Sequence, residues 1–217
     1  PTASDLVLHL TFNDGNKNPY DYSQNGATVN PLAGMSSGSD YSHPSHSNGQ
    51  GMYFEGYGTA DYVDVLVNTA SLGIHHDKWT VAAWVNITSQ SKTQHFLTFN
   101  TSSNFPRVEL SHATGKPLLY IDDGTSDYYR YGDLGITGSG WPPLAFVFDD
   151  ESSTRNLYVN GDLANGSGPT TGQGDGANPY NTTGNFLFGN QWRIGYAGPN
   201  TITGSLDELR VYKTPLS

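Results

Sequence analysis

The chain has 217 residues with 20 acidic against 10 basic side chains, a formal net charge of −10, and no cysteine. That charge repels phosphate backbones and excludes nucleic acid as an expected partner, while the missing cysteine excludes disulfides, thiolate catalysis and cysteine-type zinc sites. Glutamate occurs only at Glu55, Glu109, Glu151 and Glu208, so the acid excess is aspartate, the residue of turns and oxygen-rich cation sites.

In chain order, residues 6–12 alternate Leu6, Leu8, Leu10 and Phe12 against Val7, His9 and Thr11, the period of a half-buried strand. Similar runs follow at Met52–Glu55, Tyr62–Val67, Trp79–Ile87, His95–Phe99, Arg107–Ser111, Leu118–Ile121 and Leu144–Phe148. The last are Asn156–Val159, Phe186–Phe188, Trp192–Tyr196 and Leu206–Tyr212. Trp79–Ile87 is apolar on both faces, as a central strand requires. Asn160-Gly161 predicts a tight hairpin, and Asp122-Asp123-Gly124 a second one leading into Tyr128–Tyr131. Only Thr69–Ile74 offers a helical turn. Short strands without helices predict an all-β, antiparallel two-sheet β-sandwich, a single domain over residues 1–217. The long polar stretches Asn30–Gln50 and Gly166–Thr183 are expected to be surface loops, open to recognition or to plain decoration. No apolar run reaches membrane length, so no membrane insertion is expected. Abundant Gly, Ser, Thr and Asn with few Lys suggest a bacterial secreted or cell-surface module.

Several pieces then fall in a fixed order: Leu-His-Leu-Thr-Phe-Asn-Asp-Gly at 8–15, Asp-Tyr-Ser-Gln-Asn-Gly at 21–26, and Met-Tyr-Phe-Glu-Gly at 52–56. Asp-Tyr-Val-Asp-Val (61–65), Trp-Thr-Val-Ala-Ala-Trp-Val (79–85), Leu-Tyr-Val-Asn-Gly (157–161) and Arg-Ile-Gly (193–195) follow, before a closing run from Gly204 to Ser217. From Leu6 to Ser217 the series resembles the LamG-like jelly-roll family of the concanavalin A-like lectin/glucanase fold. The resemblance implies a jelly roll with neighbouring first and last strands and a structural calcium near them. It selects no function, because the fold hosts lectins, adhesion modules, glycosidases and lyases. Trp141-Pro142-Pro143 departs from the Trp-His-His-like lead that family members often carry.

The metal candidates are Asn13, Asp14 and Asn16 around Gly15, with Asp21 and Asp207. Asp207 shares strand parity with Leu209 and Val211, which predicts that it points inward. A buried carboxylate is costly unless it meets a cation or several donors. Calcium, which takes roughly six to eight oxygens, is the expected ion; the alternative is that Asp207 caps backbone N–H groups beside an ordinary turn. Turn chemistry accounts for the second acidic group, Asp122, Asp123 and Asp127. His43, His46, His75 and His76 lie in polar stretches without a convergent third ligand, so zinc is not expected.

Retaining glucanases need two carboxylates about 5 Å apart, and no paired-glutamate run is present. Gln94-His95 precedes Arg107-Val108-Glu109, the reverse of the order in lyases of this fold. Binding is the expected role, because sugar rings stack on aromatic faces while polar side chains fix hydroxyls. The ligand-binding candidates are Asp127, Tyr129, Arg130, Tyr131 and Trp141, with Tyr41, Tyr57 and Trp192 behind them. Tyr129 and Tyr131 share one strand face, Tyr128 and Arg130 the other. The expectation is a calcium-stabilised, non-catalytic module of a larger extracellular protein, binding a polysaccharide or glycan. A cell-surface protein is the alternative partner, and a lyase or hydrolase with an atypical site the alternative class.

Overall fold

The computed structural model describes residues 2–13, 19–31, 41–42, 51–56, 61–74, 77–89, 92–100, 106–111, 114–122, 127–149, 151–152, 154–166, 188–196 and 200–216. After a 3-10 turn at Ala3–Asp5, the strands are β1 (Leu6–Leu10), β2 (Thr28–Pro31), β3 (Tyr41–Ser42), β4 (Gly51–Glu55) and β5 (Tyr62–Leu66). One helical turn, α1 (Thr69–Leu72), precedes β6 (Lys78–Ile87), β7 (Gln94–Thr98), β8 (Pro106–Leu110), β9 (Pro117–Asp122) and β10 (Asp127–Tyr131). The chain continues through β11 (Pro143–Asp149), β12 (Thr154–Val159), β13 (Asp162–Leu163), β14 (Gln191–Gly195) and β15 (Thr203–Tyr212).

Two antiparallel sheets result, one ordered β13-β12-β11-β6-β15-β4-β3 with β1 on β15, the other β10-β9-β8-β7-β14-β5-β2. The predicted central strand, β6, lies between β11 and β15. Asn160 and Gly161 both have positive φ, as the tight β12–β13 hairpin requires. Asn68 caps α1 by accepting the Ser71 N–H at 3.2 Å, and Gly73 ends it in the left-handed conformation. Of the predicted strands, Phe186–Phe188 is not one at Phe188, and residues 186 and 187 lie outside the described ones.

Alternation fills the gap between the sheets. β6 sends Trp79, Val81, Val85 and Ile87 inward, β8 Val108 and Leu110, β14 Trp192 and Ile194, all buried. Trp79 ties the layers together, with ring centroids 5.6 Å from Phe148 of its own sheet and 5.1 Å from Phe99 at the end of β7. Alternation leaves the opposite set of side chains on the outer face of each sheet.

The first and last strands meet as expected: β1 pairs β15 with Leu10 opposite Leu209. β15 gains one residue on β6 between Asp207, opposite Trp84, and Arg210, opposite Ala82. Glu208 is the bulged residue, with φ of 52°. An inserted residue inverts the face. Asp207 therefore faces outward with Trp84, Arg210 and Tyr212, not inward with Leu209 and Val211, as its parity predicted. It is nonetheless buried, 3% exposed.

Candidate functional site

The outer face of the β10–β2 sheet carries the densest chemistry. In β8, inward Val108 and Leu110 leave Arg107 and Glu109 outward, and in β14 inward Trp192 and Ile194 leave Gln191 and Arg193 outward. Register then aligns residues far apart in sequence. Tyr129 pairs with Tyr120, Tyr120 with Arg107, Arg107 with Thr98, Thr98 with Arg193, Arg193 with Asp64, and Asp64 with Asn30. One polar row thus crosses all strands of the sheet, six inter-strand steps of about 4.8 Å, or roughly 29 Å.

Side chains in this row are stacked on one another. Tyr129 and Tyr120 are nearly parallel, centroids 6.0 Å apart at 10°, and the Arg107 guanidinium carbon lies 3.7 Å from the Tyr120 centroid. Arg107 donates from Nε to Glu109 Oε1. At the other end, Arg193 holds Asp64 through two bonds, Nε to Oδ1 at 2.7 Å and Nη2 to Oδ2 at 3.0 Å. Gln191 Nε2 adds a third donor to Asp64 at 2.7 Å, and the Arg193 guanidinium lies 3.9 Å over the Tyr62 ring. The rings and guanidinium groups therefore pack against one another along the row. Tyr120 and Tyr62 have ring faces covered by neighbours, so the row is not the open stacking platform expected from composition.

Beneath it lies a buried pair. A bulge in β7 between His95 and Leu97 sets His95 opposite Glu109, with His95 Nε2 3.6 Å from Glu109 Oε1. Tyr196 covers the imidazole at 4.6 Å between ring centroids. Burial, and then the Arg107 charge, push the His95 pKa down to about 3, so the ring is neutral at pH 7. Burial also pushes Glu109 up, against the downward pull of Arg107. Both are nearly sealed, so they support Arg107 from below rather than reach outward. Tyr131 sits beside Tyr129 at 5.9 Å; burial and the Tyr129 hydroxyl raise its pKa, while its bond to Ser111 lowers it.

Of the sequence-predicted ligand set, Tyr129 and Tyr131 lie on this face. Arg130 faces the other way, opposite Leu119, and donates to Gly166 O at 3.3 Å. Trp141 belongs to the other sheet: its ring lies where a side chain on Gly51 of β4 would project, 2.7 Å from a Cβ placed there. Asp127 is placed by backbone alone, opposite Asp122. Sequence reasoning missed Tyr120, Arg193, Asp64 and Tyr62, and left Arg107 and Glu109 without a role. Strand parity could have flagged each singly, but only cross-strand register joins them.

The expected calcium ligands divide. Asp21 bridges Leu10, on the edge of β1 away from β15, and Leu10 in turn pairs with Leu209 rather than with Asp207. Its Oδ1 accepts the N–H groups of His9 and Ser23 at 3.1 and 2.9 Å, and Oδ2 the Ser23 hydroxyl and Ala27 N–H at 2.9 and 3.3 Å. Four donors occupy what a carboxylate offers, so Asp21 does not fit a metal ligand. Asp207 Oδ1 accepts the Glu208 N–H at 2.7 Å. Burial pushes its pKa up to about 7, with Glu208's N–H pulling down and its charge pushing up. Asn13 is exposed. Asp14, Asn16 and the histidines at 43, 46, 75 and 76 lie outside the described residues. Among the described residues no group of three or more His, Asp or Glu converges.

A family model of the concanavalin A-like lectin/glucanases superfamily, Laminin_G_3, matches residues 57–217. No curated protein sequence matches the chain. Among solved structures, the botulinum neurotoxin DC binding domain in complex with rat synaptotagmin II aligns at TM-score 0.71 and 11% identity, over 100% of this chain and 50% of that one. The structure of botulinum neurotoxin type C, a toxin whose cell entry depends on interaction with two ganglioside molecules, aligns at 0.69 and 11%, over 99% and 49%. The serotype D binding domain aligns at 0.66 and 13%, over 99% and 49%. The chain spans about half the length of these structures, and at such identities the likeness shows the fold alone.

Proposed function

The chain belongs to the concanavalin A-like lectin/glucanase superfamily, and from that premise we propose a non-catalytic glycan-binding module that takes a saccharide along the row from Tyr129 to Asn30. The register-aligned row itself carries the reading. A saccharide hydroxyl needs a donor or acceptor at each step, and Tyr129, Tyr120, Arg107, Arg193 and Asn30 offer them along one line on a rigid sheet. The ganglioside-dependent toxin of the same fold is in keeping with it. In affinity electrophoresis, Tyr120→Ala and Tyr129→Ala should abolish retardation by the bound polysaccharide, while Tyr20→Ala, outside the row, leaves it. Equal retardation of all four proteins would refute the reading.

A protein partner is the second reading, favoured by Tyr20 and Tyr22. Both rings are exposed, 61% and 44%, with centroids 5.2 Å apart, where aromatic contacts could anchor a partner. Pull-down from a host-cell surface, lost in a Tyr20→Ala/Tyr22→Ala variant, would establish it. Calcium is proposed at Asp207 with Asn13, Asp14 and Asn16, which follow Phe12 in the sequence, but without Asp21. A buried carboxyl with a raised pKa, beside the end of β1, supports it. The proposed setting is a secreted or cell-surface protein of which this module is one part.

A further inference from the structure

Both arginines of the row are already matched by a carboxylate. Arg193 holds Asp64 through two bonds, with Gln191 as a third donor. Arg107 holds Glu109 through Nε. Those carboxylates are sunk into the sheet, 6% and 2% exposed, and neither can turn to water if its arginine is taken by another acid. An incoming sugar carboxylate or sulfate therefore meets a guanidinium whose charge is already balanced by a resident acid, and it either adds a second anion beside that acid or displaces it from its arginine, both unfavourable. It also approaches a chain of formal net charge −10. A hydroxyl needs no such exchange, because it can use the outer edges of guanidinium and phenol groups with the ion pairs intact.

We infer that the row selects uncharged polysaccharide and rejects uronate- and sulfate-bearing chains, through the resident pairs Arg107–Glu109 and Arg193–Asp64. This rests on the reading of the same face as the glycan site. It makes Asp64 and Glu109 specificity-determining residues that never touch the ligand: they spend the arginines' charge in advance.

Native affinity electrophoresis tests it with galactomannan, xyloglucan and mixed-linkage β-glucan against alginate, polygalacturonate and carrageenan. The parent protein should be retarded by at least one neutral polymer and by no acidic one. Raising salt from about 0.05 to about 0.5 M should change the neutral affinity less than about twofold, since no net ion pair forms. Asp64→Asn and Glu109→Gln, singly and together, should gain retardation by an acidic polymer that salt abolishes. Circular dichroism checks that each is folded, and the salt response of the parent decides the matter should a variant unfold. Retardation of the parent by an acidic polymer, or a steep salt dependence, overturns the selectivity and leaves the glycan face standing. Retardation by no polymer at all overturns the glycan face itself.

Discussion

The Arg107 guanidinium carbon lies 3.7 Å from the centre of the Tyr120 ring, its partner across β8 and β9. The ring has the guanidinium on one side and Tyr129 on the other, so a change at either neighbour releases it. Arg107→Lys keeps the charge but loses the planar surface that stacks on Tyr120 and the Nε that holds Glu109. It should weaken glycan binding about tenfold or more while costing about 1–2 kcal/mol of stability. Titration calorimetry and denaturant melts measure the two effects separately.

Asp207 makes the fold prefer acid in one window. Its pKa rises from the unfolded 3.8 to about 7, so between these values the folded chain holds a proton that the unfolded chain has lost. Its contribution is complete below about pH 4 and fades as pH rises through 7. Asp207→Asn should therefore be most stabilising, relative to the parent, above pH 7 and least so near pH 4. Thermal melts across that range give the comparison, and calcium should raise the parent's Tm above pH 7 but not the variant's.

His95 acts in the opposite sense. Its folded pKa near 3 lies below the unfolded 6.5, so its contribution is complete above pH 6.5 and is lost as pH falls toward 3. His95→Gln should cost most at pH 7–8 and progressively less toward pH 4. Because the two windows overlap with opposite slopes, the parent should be flatter with pH over that interval than either variant.

Gly51 lies under the Trp141 ring. A Cβ at that position would stand 2.7 Å from the ring and 3.0 Å from the Leu206 carbonyl oxygen. Gly51→Ala should cost about 1–3 kcal/mol, seen as a lower midpoint with unchanged m-value. Glycan binding by the folded fraction should stay intact, because Trp141 belongs to the other sheet.

Much of the scaffold was legible because it rests on local pattern. The Leu6–Phe12 alternation, the two-faced apolar run Trp79–Ile87 and the Asn160-Gly161 turn need only neighbours in sequence to be read. The same parity put Tyr129 and Tyr131 together and Arg130 opposite them. It failed at Asp207 because the inserted Glu208, a positive-φ residue with no glycine to mark it, shifts everything before it by one. The cross-strand row was invisible for a different reason. Arg107 and Arg193 meet through Thr98 only once β7 pairs with both β8 and β14, and pairing between strands so distant in the chain leaves no local signature. Asp21 looked like a ligand by residue type. Only the structure supplies the four donors that fill it.

Whether the row from Tyr129 to Asn30 holds a glycan is decided by titrating the parent and Tyr120→Ala with the polysaccharide that most retards the protein. The parent should bind saturably and the variant about tenfold or more weakly, with both proteins equally folded. Identical isotherms for the two, or no heat for either, would contradict it.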